Sequence, residues 1–366
     1  MKLDKEFPAI SAKEWEDKLL KELKIDDIAK KLWNISDQIV LSPAYSADKK
    51  SKISLPNEQA KLNLWAIGED FKIKNFEKNN NELLEAFLAG SEYPGLKLSC
   101  IPKQKEWAIL LKDIKLDYIK IQFDLDKEVK PVPFIRSLSS YVAKNNSKPQ
   151  SVKGALCFAH ASRYKFKTIQ LAQELLPGFK TICIDLTKKK SKPEVLLAEG
   201  LTQLEEVIFD LVSNGMSISK IRDKIAMLTL STKTFYVSLA QNRALKILVM
   251  NLLKSYKLKK DFDVPIISHT DPKDYVKDPN TNNIVATIQT MAAVLSGVER
   301  MVVSAPNKTG RHSKFSRRVC RNIQHIMKME SNLEQVFDAA EGSYFLDELT
   351  DQLIDASWNI FVQNSK

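Results

Sequence analysis

"DPNTNNIVATIQTMAAVLSGVERMVVSAP", residues 278–306, decides how the rest of the chain is read. Asp278, Pro279 and the asparagines make a turn, and Asp278 and Asn282 are suited to turn and cap hydrogen bonds. Ile284, Ile288, Met291 and Leu295 then recur at helical spacing, so one face of the helix is apolar. Gly297 follows, where a residue without Cβ enters the left-handed conformation at low cost and stops the helix. "RMVVSA" is β-rich and continuous. The unit is an amphipathic helix, a glycine stop and a buried strand.

The same unit recurs along the chain. "NELLEAFLAG" precedes "LKLSCI", "KEWAILLKDI" precedes "YIKIQFDL", and "FIRSLSSYVAKN" precedes "VKGALCFAHA". "TIQLAQELLPG" precedes "FKTICIDL", the helix 194–214 precedes "KIAMLTLS", and "FYVSLAQNRALKILVMNLLKSY" precedes "VPIISHT". Continuous apolar strands separated by amphipathic helices specify a parallel sheet covered on both faces. Seven such units, with further helices after the last and no glycine-rich phosphate turn, predict an α/β fold of the closed (β/α)8 TIM-type barrel class. The eighth strand is expected near "GSYFL" at 342–346.

Ahead of the barrel, residues 1–80 read as an amino-terminal arm and residues 81–366 as the barrel. "ISAKEW" starts a helix with Ser11 as cap and Glu14 closing a capping box, and Ile10 stapled against Trp15. Trp15, Leu19, Leu20 and Leu23 share one side of that helix. Trp15 and Trp33 are candidate anchors for a partner protein, and packing on the chain's own barrel would use the same residues.

Composition narrows the function classes. Lys+Arg of 56 against Asp+Glu of 45 gives a formal net charge of +11, which favours an anionic partner. The excess is scattered along the sequence, with "KKKSK" at 188–192 the densest run, so a solvated basic surface is expected rather than a nucleic-acid groove. Cys100, Cys157, Cys183 and Cys320 are widely spaced and form neither a disulfide framework nor a metal knuckle. "MKLDKEFPAISAKEWEDKLL" lacks the apolar core of a signal peptide and no run reaches the roughly 20 apolar residues needed to span a bilayer, so a cytoplasmic, membrane-free setting is expected.

Residues 278–306, together with "FSRRVCRNIQHIMKMESNLEQVFDAAEGSYFLDELTDQLIDASWNIF" at 315–361, resemble the end of the barrel domain of the cobalamin-dependent acyl-CoA mutases, methylmalonyl-CoA mutase in particular. "FPAISAKEWEDKLLKELK" and "LWNISDQIVLSPAYSADK" resemble the amino-terminal arm of the small subunit of the heterodimeric enzyme. Two departures accompany this resemblance. None of His160, His269, His312 and His325 stands in the D-x-H-x-x-G motif whose histidine ligates cobalt, and the flavodoxin-like domain that follows the barrel in cobalamin-binding members is not expected here. Where active members carry an S-G-Y-H-M-Q-E-A-G-like run, this chain has "TICIDLTKKKSKPEVLLAEG", with neither Tyr nor His and with Lys188, Lys189 and Lys190 in the loop.

The resemblance therefore implies a non-catalytic small subunit, no catalytic residue of its own, no cofactor bound by this chain alone, and adenosylcobalamin in a large-subunit partner. Two other readings stay open: an active barrel served by a separate cobalamin-carrier chain, and an anion or nucleic-acid binder. His269 in "IISHTDP", Asn282 and Arg321 are the candidate acyl-CoA contacts; Arg317, Arg318 and Asn322 share the helix that could meet CoA phosphates. Each also has a structural reading, as a polar barrel residue, a cap, or arginines paired with acidic neighbours.

Overall fold

The computed structural model describes residues 10–45, 55, 62–145, 147–158, 166–187, 191–307 and 313–364. Its first element is helix α1 (Ala12–Leu23), opened by the expected capping box: the Ser11 hydroxyl accepts from the Glu14 N–H while the Glu14 carboxylate accepts from the Ser11 N–H. No residue of α1 is buried. A short antiparallel hairpin follows, β1 (Trp33–Asn34) and β2 (Val40–Leu41), with Ile39 and Leu41 fully buried.

The barrel is then built in chain order. β3 (Ala66–Lys72) leads to α2 (Phe76–Leu88), β4 (Tyr93–Leu98) to α3 (Gln104–Leu110), and β5 (Lys120–Leu125) to α4 (Pro131–Lys144). β6 (Lys153–Phe158) leads to α5 (Phe166–Leu175), and β7 (Phe179–Lys180) and β8 (Ile182–Asp185) lead to α6 (Pro193–Ser213) and the short α7 (Ile218–Arg222). β9 (Ile225–Ser231), α8 (Phe235–Ser255), β10 (Ile266–Thr270), α9 (Pro279–Leu295), β11 (Arg300–Val302) and α10 (Lys314–His325) complete it. The last helix, α11 (Tyr344–Asn364), packs across α6 and α8.

All the barrel strands pair in parallel, in the order β7-β6-β5-β4-β3-β11-β10-β9-β8. The two ends of that order, β7 and β8, are separated only by Thr181, so they are two halves of one strand and the ring closes through the chain itself. Eight strands result, and the TIM-type reading stands. The opening unit is as expected: Asp278 caps α9 through the N–H groups of Asn280 and Thr281, and Gly297 takes φ +74.

One expectation is corrected. "GSYFL" is no strand; α11 begins there at Tyr344. The missing strand is β3, which lies inside the span assigned to the arm and sits between β11 and β4 in the sheet. The barrel thus starts before residue 81, at Ala66. The physical reason lies in its sequence, "AIGEDFK", whose central residues are glycine and two acids rather than an apolar run.

Side chains alternate along each strand. Leu96, Leu98, Ile121, Phe123, Leu156, Ile184, Met227 and Ile266 face outward into one large core beneath the helices. Ala155, Cys157, Cys183, Ala226, Leu228 and Ile267 form a separate cluster in the barrel interior.

Candidate functional site at the barrel mouth

Two glycines make room for one arginine. A Cβ on Gly68 or Gly95 would collide with the Arg300 guanidinium, and on Gly95 also with the Asp70 carboxylate, so the arginine lies where these strands lack side chains. Arg300 is fully buried and reaches across the axis. Its Nη2 donates to Asp70 Oδ1 at 2.5 Å, Nη1 to Gln122 Oε1 at 3.0 Å and Nε to the Tyr93 carbonyl at 2.8 Å. The guanidinium also lies 5.2 Å from the Tyr93 ring centroid. Tyr93, Gln122 and Arg300 together fill the barrel axis.

Above this plug, at the carboxyl ends of the strands where barrel enzymes place their sites, is a cavity of about 430 Å³. Asp70, Lys97, Asp124, Cys157, Asp185 and His269 line it from six different strands. His269 Nε2 lies 3.1 Å from Asp70 Oδ2, and Lys97 pairs with Asp126 at 3.4 Å. The Gln122 amide donates to Asp124 Oδ1 at 2.7 Å.

The two facing carboxyls are driven apart in acidity. Burial works to raise Asp70, but the Arg300 guanidinium and His269 outweigh it and hold the pKa well below the usual carboxylate range. Burial raises the Asp124 pKa, and the negative charge of Asp70 raises it further, against the hydrogen bond from Gln122. Asp70 is therefore held as an anion, and Asp124 takes up a proton more readily than an ordinary aspartate. The Cys157 thiol is pushed well above its ordinary value by its hydrogen bond with Cys183 and by burial, so it behaves as an inert apolar group.

With Asp70 ionised, hydrogen-bond logic places the imidazole proton on Nε2 of His269. Its Nδ1 is buried without a partner among the described residues.

The other candidates from the sequence lie outside the cavity. Asn282 is fully buried: its Oδ1 accepts from the Val276 N–H at 2.7 Å and its Nδ2 donates to the carbonyls of Val276 and Pro306, tying the loop after β10 to the end of β11. Arg321 and Arg317 both donate to the Glu69 carboxylate at 2.6 Å, and Arg317 stacks 4.5 Å from the Phe71 ring, stapling α10 to the outer face of β3. Trp33 stacks on Phe345 of α11 with centroids 6.3 Å apart, while Trp15 stands on α1; both residues are 38% exposed. Lys188, Lys189 and Lys190, with His160 and His312, lie outside the described residues.

Asp70, Asp124, Gln122 and Arg300 were not singled out from the sequence. The available signal was period two: Arg300, Val302 and Ser304 alternate inward, so the arginine opening "RMVV" is a barrel-interior residue rather than a charged flank.

The described histidines do not fit a cobalt ligand. His269 is tied to Asp70 through Nε2 and its Nδ1 is enclosed, while His325 lies on α10 with Nε2 against the Ala89 carbonyl. Among the described residues no group of three or more His, Cys, Asp or Glu is placed to hold a metal ion.

The family profile described as methylmalonyl-CoA mutase matches residues 101–365. This chain belongs to the methylmalonyl-CoA mutase family. Among its mutase relatives, the "Methylmalonyl-CoA mutase small subunit" of Porphyromonas gingivalis is 24% identical over 394 residues, covering 99% of this chain and 64% of the relative. A protein of the same description from Streptomyces virginiae is 34% identical over 86 residues, covering 23% and 14%. The "Probable methylmalonyl-CoA mutase, mitochondrial" of Caenorhabditis elegans is 30% identical over 164 residues, covering 43% and 22%. The chain spans less than two thirds of the length of each. No helix among the described residues is long and apolar enough to cross a membrane.

Proposed function

We propose that the chain is the non-catalytic small subunit of a cytoplasmic methylmalonyl-CoA mutase, docking on a large subunit that carries adenosylcobalamin and interconverts methylmalonyl-CoA and succinyl-CoA. The observation that carries this reading is the plugged axis. An extended acyl-CoA thioester would have to displace Tyr93, Gln122 and the Arg300–Asp70 ion pair, all hydrogen-bonded in place. Removing one partner of such a pair leaves a buried charge uncompensated. The absence of a Tyr-His run after β8 agrees with this, as does the near-complete coverage by a relative described as a small subunit. The exposed Trp15 and Leu23 of α1 supply an anchor for the large subunit.

One observation favours a second reading. A polar mouth holding two carboxyls whose surroundings push their acidities apart has the makings of an acid–base site, which suits an active barrel working with a separate cobalamin carrier. Co-purification of the tagged chain with its mutase large chain, followed by a turnover assay, separates the two. A stoichiometric complex active only when both chains are present is expected. Turnover of methylmalonyl-CoA by this chain with a carrier domain alone would overturn the small-subunit reading.

A further inference from the structure

The positive charge that is scattered in the sequence is gathered in space. A parallel barrel brings every helix-to-strand loop to one end, and five such loops, before β5, β6, β7, β9 and β10, stand side by side because those strands are neighbours in the ring. Residues 111–120, 144–153, 176–180, 214–224 and 254–263 carry fourteen Lys and Arg against five Asp, so 14 − 5 gives a net +9 of the chain's +11. The remainder of the chain is nearly neutral. Lys112, Lys144, Lys148, Lys153, Lys257 and Lys260 are exposed and have no carboxylate within ion-pair distance among the described residues.

We propose that this basic crescent at the amino end of the barrel docks an acidic face of the partner subunit. The proposal rests on the small-subunit reading above and adds where, and by what chemistry, the partner approaches. Thirteen of the fourteen cations are lysines, and apart from Lys224, which is buried against the Pro177 and Phe179 carbonyls, they are compact charges on flexible stems that supply a long-range field rather than the rigid forks that read phosphates. A channel for single-stranded nucleic acid needs a row of aromatic platforms; here Tyr118 is the one prominently exposed aromatic among the described residues of these loops. Insertion into a membrane surface needs an amphipathic helix with an apolar side, and the crescent is made of loops and the polar α7. A lysine-rich rim instead fits a carboxylate-rich protein face, where charge sets the association rate and the register.

The experiment uses the full chain and the mutase large chain. Binding is measured by biolayer interferometry between about 50 and about 300 mM salt, across which screening of exposed charges becomes severe. The tested variant combines Lys144→Glu, Lys148→Glu, Lys257→Glu and Lys260→Glu; the control combines Lys72→Glu, Lys78→Glu, Lys105→Glu and Lys130→Glu, with the same net charge and no position on the crescent. Thermal melts confirm that both fold. The parent is expected to lose about tenfold or more in association rate over that salt range, and the crescent variant to bind about tenfold more slowly than the control at low salt.

A complex that forms with no salt dependence and equal rates for variant and control overturns the crescent while leaving the small-subunit reading intact. No complex at any salt overturns both. Binding of the chain to single-stranded RNA, or to vesicles of about one third phosphatidylglycerol, that survives about 150 mM salt and is lost in the crescent variant would also overturn the assignment to an acidic protein face.

Discussion

At the scale of single residues, the barrel interior is organised around Arg300, and what Arg300 requires explains its neighbours. It needs Gly68 and Gly95 for space, and Asp70, Gln122 and the Tyr93 carbonyl for its donors. Asp70 is then held as an anion, and that anion presses on Asp124. The two carboxyls have opposite consequences for stability. Asp70, with its pKa depressed, contributes stability above the ordinary carboxylate range that is lost as pH falls through and below it. Asp124, with its pKa raised, favours folding while protonated and costs stability as pH rises above the ordinary value. Asp124→Asn removes that cost and keeps an acceptor for Gln122. Its Tm is expected to exceed the parent's at about pH 8 and to approach it as the pH falls to about 4. Melts across that range check this; a Tm difference that does not change with pH would mean Asp124 is not the titrating group.

At the scale of elements, most of the barrel was legible because buried parallel strands and their covering helices have different periods, and seven units kept both. β3 was not. Its outward Glu69 answers Arg317 and Arg321 and its inward Asp70 answers Arg300, partners more than 200 residues away, so the strand's polarity makes sense only in the folded ring. "GSYFL" misled for the converse reason: its apolar triplet opens α11, and Phe345 is used to hold Trp33, Tyr45 and Tyr236. The arm's two tryptophans were equivalent as sequence and differ in place. Trp33→Ala removes a stacked ring from the barrel surface and is expected to cost roughly 1–2 kcal/mol, less than a fully buried aromatic. Trp15→Ala is expected to leave the stability of the isolated chain unchanged, since no residue of α1 is fully buried, and, on the small-subunit proposal, to weaken binding to the large subunit. Denaturant midpoints and pull-down with the large chain separate the two; a Trp15→Ala chain that melts early would place α1 on the barrel.

At the scale of the whole molecule, closure decides where the domain begins. The order of strands puts β3 between β11 and β4, so the ring is joined there by a segment that precedes every unit recognisable from periodicity. Charge behaves the same way: the sequence shows only its scatter, and the ring's geometry collects it at one end. The arm is then a graded attachment rather than one block. α1 has no fully buried residue, the hairpin places Ile39 and Leu41 in the core and bonds Val40 to Gln352 of α11, and β3 is part of the wall. Three truncations follow that gradient. Starting the chain at residue 25 is expected to leave Tm unchanged. Starting at residue 46 removes the buried Ile39 and Leu41 and exposes the core surface they cover, and is expected to cost about 1.5–3 kcal/mol for each side chain while the barrel still folds. Starting at residue 74 removes β3 and leaves the edges of β4 and β11 unpaired and Arg300 buried without its carboxylate, and no cooperative melt is expected. Calorimetry of the three chains checks the order; a cooperative transition in the shortest would mean that the ring closes without β3 and that the barrel begins at residue 81 after all.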